Sequence, residues 1–136
     1  MTTYVDASVV LRIVLGERDP LATWRDVAPI ASELVRVEAL RTVDRVRSGF
    51  AIDADLAATR RAAILDTLRT FTIAPVTSGV LQRAANPFPT PLGTLDAIHL
   101  ATAIELLDEF PDLDFATHDR ELATAARAVG FAVTGV

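Results

Sequence analysis

The stretch Thr3-Tyr4-Val5-Asp6-Ala7-Ser8-Val9-Val10-Leu11-Arg12-Ile13-Val14-Leu15-Gly16 decides the fold. Tyr4 and Val5 belong to a short apolar run that reads as a buried strand ending at Asp6. The apolar stretch after it is of helical length, and Gly16 stops it. A buried strand feeding straight into a helix is half of a parallel βα repeat, and the alternation recurs downstream.

Leu21 to Val27, behind Pro20, reads as a short amphipathic helix, and Pro29-Ile30-Ala31 as a brief strand. Ser32 is placed to cap a long helix through Arg47, with Gly49 past its end. Leu34, Val35, Val37, Leu40, Val43 and Val46 follow its apolar stripe. Asp53 to Arg69 is a second long helix with Leu56, Ala63, Ile64 and Leu68 inward, followed by a strand over Phe71 to Ala74 and a helix over Thr77 to Ala85. Three prolines keep 86–93 irregular. Thr94 is read as the cap of a helix to Leu107; Leu113 to Ala116 is a strand, Arg120 to Val129 a helix ended by Gly130, and Phe131 to Val133 a last strand. Alternating strands and helices predict one α/β domain over 1–136, in three α/β/α layers around a mainly parallel sheet of about four to five strands.

Composition narrows the chemistry. Without cysteine there is no disulfide and no thiolate-bound zinc. The opening residues lack a basic signal region and no apolar run is of membrane-spanning length, so a cytoplasmic, membrane-free protein is expected. Every basic residue is Arg, which excludes any mechanism needing a catalytic lysine. A net charge of −5 argues against broad nonspecific nucleic-acid binding. It leaves room for arginines to meet phosphate once a cation neutralises the acids.

Four carboxylates fall at junctions of strand, loop and helix: Asp6, Glu38, Asp96 and Asp119. Each alone has an ordinary explanation. Asp6 and Asp119 suit helix N-caps, Asp96 suits the dipole of a first helical turn (second position of its helix), and Glu38 can pair with Arg41. Four such explanations must hold together, whereas one cation accounts for all four. Acids beyond the carboxyl ends of parallel strands converge where ligands bind in such sheets, and unpaired carboxylates in apolar surroundings are costly. Oxygen-only donors match Mg²⁺ or Mn²⁺, which assist phosphodiester hydrolysis. Asp114 competes with Asp119 as fourth acid, but it lies early in its strand, ~10 Å from the carboxyl edge. His99 reads as a packed residue bonded locally, and His118 as an exposed loop residue.

Taken together, Tyr4-Val5-Asp6-Ala7-Ser8, the Ser32 to Glu38 segment, Leu95-Asp96-Ala97-Ile98-His99-Leu100-Ala101-Thr102-Ala103 and Ala116-Thr117-His118-Asp119-Arg120-Glu121-Leu122 resemble PIN-domain ribonucleases, and among them the VapC-type toxins of bacterial toxin–antitoxin pairs. The likeness covers nearly the whole chain in the family's order. Ala7 departs from it, standing where a Thr or Ser is common. The resemblance implies a PIN-like fold and Mg²⁺-dependent endonucleolytic cleavage of RNA, with Mn²⁺ as substitute, and inhibition by a cognate antitoxin. It assigns Asp6, Glu38, Asp96 and Asp119 as catalytic and metal-binding acids, with Ser8, Thr94 and Thr117 as hydroxyls near them. Arg12, Arg36 and Arg41 are candidate phosphate contacts, because a guanidinium fork suits phosphate. Leu15, Leu21 and Trp24 are candidates for an antitoxin groove, and a homodimer is expected. The alternative is a catalytically silent PIN-like binding module. A phospho-receiver domain is excluded by the missing adjacent acids and lysine.

Overall fold

Strand β1 (Thr2–Val5) and helix α1 (Ala7–Leu15) form the expected opening unit in the computed structural model, which describes residues 1–16, 26–49 and 51–136. Asp6 is the N-cap between them, and Gly16 ends α1 in the left-handed conformation (φ 63°) that glycine adopts without penalty. The chain continues through β2 (Ala28–Ser32), α2 (Leu34–Ser48), α3 (Ala54–Leu68), β3 (Thr72–Ala74), α4 (Ser78–Ala84), α5 (Thr94–Leu106), β4 (Asp114–Ala116), α6 (Arg120–Ala128) and β5 (Val133–Thr134). The helix expected over Leu21 to Val27 lies largely outside the described residues, as do Leu21 and Trp24 of the expected groove.

Five strands pair in the order β3-β2-β1-β4-β5, and all four pairings are parallel. Side chains alternate across the sheet. Val5 and Ala116 enter a core with Val9, Val35 and Ile64 from α1, α2 and α3. Tyr4 and Phe115 enter a second core with Leu100 and Leu122 from α5 and α6. Two cores on two faces make the three layers. The order reverses direction between β1 and β4, and this switch point lies beside Asp6.

Several local expectations are corrected. Val37 is 59% exposed and Leu56 39% exposed, so neither points inward; Val35, Ala39 and Val43 carry the buried side of α2, and Ala57, Ile64 and Leu68 that of α3. Glu33 rather than Ser32 occupies the N-cap of α2, although Ser32 Oγ still accepts from the Leu34 N–H at 3.1 Å. Gly93 takes the cap position expected of Thr94, which becomes the first residue of α5 and moves Asp96 to the third. The last strand is shifted to Val133–Thr134.

The end of the chain is held tightly against the switch point. Gly135 has φ 101°, and a Cβ there would meet the Thr117 carbonyl oxygen at 2.5 Å. Only glycine permits both the backbone and the approach. Gly135→Ala is therefore expected to lower unfolding free energy by about 1–3 kcal/mol, measured by urea denaturation. Gly79→Ala, in α4 with nothing closer than 3.7 Å, should be neutral or slightly stabilising.

Candidate active site

Asp6 is the most buried of the four acids, at 5% exposure. Its carboxylate is met from two sides: Ser8 Oγ donates to Oδ1 at 2.6 Å and Thr117 Oγ1 donates to Oδ2 at 2.8 Å. The Val9 N–H also points at Oδ1, at 3.4 Å, as the cap of α1. Burial pushes the Asp6 pKa up, while the bonds from Ser8 and Thr117 work against that rise. The same two hydroxyls knit β1 to the loop after β4. Ser8 Oγ accepts from the His118 N–H at 2.9 Å, and Thr117 Oγ1 accepts from the Asp119 N–H at 3.0 Å. Asp119 in turn caps α6 through the Leu122 N–H at 3.0 Å.

Asp6, Glu38, Asp96 and Asp119 line one cleft of about 430 Å³, together with Ser8, Leu11, Val37, Arg41, Arg45 and Leu95. The four acids come from four elements, as the sequence led us to expect. The charges of the other three act on Asp96. Asp96 has its pKa raised from 3.8 to about 6, first by burial and then by the charges of Asp119 and Asp6, with Glu38 adding and His99 opposing. Among the described residues no three His, Asp or Glu side chains are arranged to hold a metal ion as they stand; Asp6 is committed to Ser8 and Thr117, and Glu38 to His99. The donor set is nonetheless that of a hard divalent cation: carboxylate oxygens only, with mutual repulsion that a positive ion relieves.

The remaining expected residues divide. Thr94 is exposed and does not line this cleft. Arg41 lines it and also bridges to Asp44 at 2.9 Å. Arg12 lines an adjoining cleft with Ser8, Thr42, His118 and Asp119. Arg36 lines a second cleft with Leu65, Leu68 and Ile73, which shares Val37 with the acid cleft but none of its four acids. Arg45 was missed by the sequence reading, though it lies one helical turn beyond Arg41. Asp114 starts β4 opposite Thr3, at the far end of the strand from Thr117.

Both histidines differ from expectation. His118 is half-buried, with Nδ1 bonded to the Gly135 carbonyl oxygen at 2.6 Å. His99 is buried as expected, but its bonds are not local: Nε2 meets Glu38 Oε1, and Nδ1 lies 2.7 Å from the Tyr4 hydroxyl. A polar residue on the otherwise apolar face of α5, one turn after Asp96, was the available signal.

Acids gathered at the switch point of a parallel α/β sheet define a class of protein in which the site is built from strand ends. The chain belongs to the PIN domain family, whose model matches residues 3–128. It is similar to two ribonucleases of Mycobacterium tuberculosis. One is VapC47, 33% identical over 94% of this chain and 92% of the relative; the other is VapC46, 34% identical over 96% and 94%. Two solved structures share the fold. A toxin–antitoxin complex from Klebsiella pneumoniae superposes with a TM-score of 0.66 at 15% identity, covering 97% of this chain and 95% of that one. The Pyrobaculum aerophilum protein PAE2754 gives 0.64 at 16%, covering 98% and 89%.

The raised Asp96 pKa has a sign. A group whose folded pKa exceeds its unfolded value holds more protons when folded, so its stabilising contribution is complete below the unfolded value and is lost as pH rises through about 6. In EDTA, Asp96→Asn should therefore be more stable than wild type, and the gap should widen from about pH 5 to about pH 7. Urea unfolding at the two pH values measures it; a gap that narrows contradicts the repulsion.

Proposed function

We propose that this protein is a Mg²⁺-dependent endoribonuclease, with Mn²⁺ as substitute, acting as the toxin of a toxin–antitoxin pair. The observation that carries the reading is the gathering of four carboxylates from four elements into one cleft, in a PIN-domain chain similar to two proteins that are ribonucleases by name. Asp6, Glu38 and Asp96 hold the principal cation, and Asp119 completes the site. When bound, the cation supplies a water of lowered pKa and offsets the charge that builds up on a phosphodiester under attack.

The chain's own groups do the rest. Ser8 and Thr117 fix both oxygens of Asp6, so its direction is set before any ligand arrives. Asp96, its pKa raised by burial and then by its acidic neighbours, would be favoured in its ionised form by a bound cation. Arg41 and Arg45, at the rim of the acid cleft, and Arg12, in the adjoining one, are placed to meet the RNA backbone. Arg36 is set aside, because its cleft contains none of the four acids.

The partner is a cognate antitoxin. Val37 and Leu95 are exposed at the mouth of the acid cleft, and exposed apolar side chains around a charged centre suit an apolar partner segment. The protein itself is expected to be a homodimer, which light scattering checks. Among the described residues no helix is long and apolar enough to cross a membrane.

Asp96→Asn keeps shape and removes charge, so cleavage of RNA with Mg²⁺ should fall by about 10²–10³-fold, the scale of losing one electrostatic group from a transition state. Millimolar Mn²⁺ should raise the melting temperature of wild type but not of this variant. Asp114→Asn should cleave like wild type. Full activity in Asp96→Asn would favour a silent binding module; loss in Asp114→Asn but not in Asp119→Asn would relocate the fourth acid.

A further inference from the structure

Behind the acid cleft runs a buried hydrogen-bond chain that none of these roles uses. Tyr4 of β1 is fully buried, and its hydroxyl lies 2.7 Å from His99 Nδ1. His99 of α5 is 1% exposed, and its Nε2 is bonded to Oε1 of Glu38, on α2. The three residues come from the sheet and from the helical layers on its two faces. The chain thus crosses the carboxyl edge of the sheet at the level of the acids.

Its polarity follows from the carboxylate, which can only accept: His99 Nε2 donates to Glu38, a neutral imidazole then has Nδ1 left as acceptor, and the Tyr4 hydroxyl donates to it. The ring is also held edge-on to Tyr4, at 6.0 Å between centroids, and Tyr4 is stacked on Phe115 at 5.1 Å. One Glu38 oxygen is therefore fixed from inside the protein, and the other is left to the cleft that Glu38 lines. A glutamate has three rotatable bonds, so a carboxylate without such an anchor would be spread over several rotamers.

We propose that His99, itself fixed by Tyr4, is a positioning residue that holds Glu38 in the orientation from which it binds the divalent cation; the proposal rests on the nuclease reading above. Groups that orient metal ligands from behind typically cost about 10–100-fold in metal affinity or activity when removed. His99 acts through Glu38 and touches neither cation nor RNA.

The test uses Mn²⁺ binding to the RNA-free protein by calorimetry, with cleavage kinetics beside it. In His99→Gln the Mn²⁺ Kd should rise about 10–100-fold. Its cleavage should be restored by raising Mg²⁺, with KM for RNA at saturating Mg²⁺ unchanged. Tyr4→Phe, which keeps the ring and its stacking on Phe115, should shift Kd in the same direction by less, and it decides the matter if His99→Gln does not fold. Wild-type Mn²⁺ affinity in folded Tyr4→Phe and His99→Gln would overturn the proposal while leaving the nuclease reading standing. Tighter Mn²⁺ binding in either variant would also overturn it, showing that the bond holds Glu38 back from the ion. A wild-type protein that binds no Mn²⁺ would overturn the nuclease reading and this proposal together.

Discussion

The burial of a single carboxylate, Asp6, is the constraint on which the rest of the site depends. A charge at 5% exposure is tolerable only when hydrogen bonds or a counter-charge replace the water it has lost. Two hydroxyls and a helix N-terminus replace part of it here. Each of these donors has a second duty: Ser8 receives the His118 N–H, and Thr117 receives the Asp119 N–H. The bonds that make Asp6 tolerable therefore place Asp119 next to it. The Asp96 pKa is raised first by that residue's own burial, and the charges of Asp119 and Asp6 push it further, to about 6. No arginine among the described residues bonds Asp6 or Asp96; Arg41 and Arg45 line the same cleft, and Arg41 bridges to Asp44.

The fold supplies the meeting point. Strand order turns at β1 and β4, so the loops leaving these strands diverge to opposite faces and open a crevice between them. Asp6 and Asp119 stand at the two lips, α2 brings Glu38 from one layer, and α5 brings Asp96 and His99 from the other. The Tyr4–His99–Glu38 chain ties these layers across the crevice, while Gly135 packs against Thr117 and His118 in the loop after β4.

Much of this was legible in the sequence, for physical reasons. A strand that ends in Asp and runs into a helix announces both a parallel unit and an N-cap, so Asp6 and Asp119 were readable as caps and as ligands at once. Five strands and their order of appearance followed from the alternation of strand and helix, whereas Asp96 and Glu38 were read from their places in the first two turns of their helices. What failed were side-chain directions near helix ends. Val37 and Leu56 carry apolar side chains into solvent, and hydrophobic spacing alone cannot see which neighbours are missing. Gly93 displaced Thr94 as a cap because a cap is set by backbone angles more than by residue type. The partners of His99 stand 95 and 61 residues away along the chain, so no local pattern could reveal them. Arg36 and Arg41 look alike on the page, yet five positions on a helix turn them to different clefts.

If these four carboxylates form one cation site, anomalous scattering from crystals grown with Mn²⁺ will show a metal peak inside the cleft, bonded to oxygens of Asp6, Glu38 and Asp96 with Asp119 beside it. Crystals soaked in millimolar Mn²⁺ that show no peak between these four side chains, in a lattice leaving the cleft open, would contradict it.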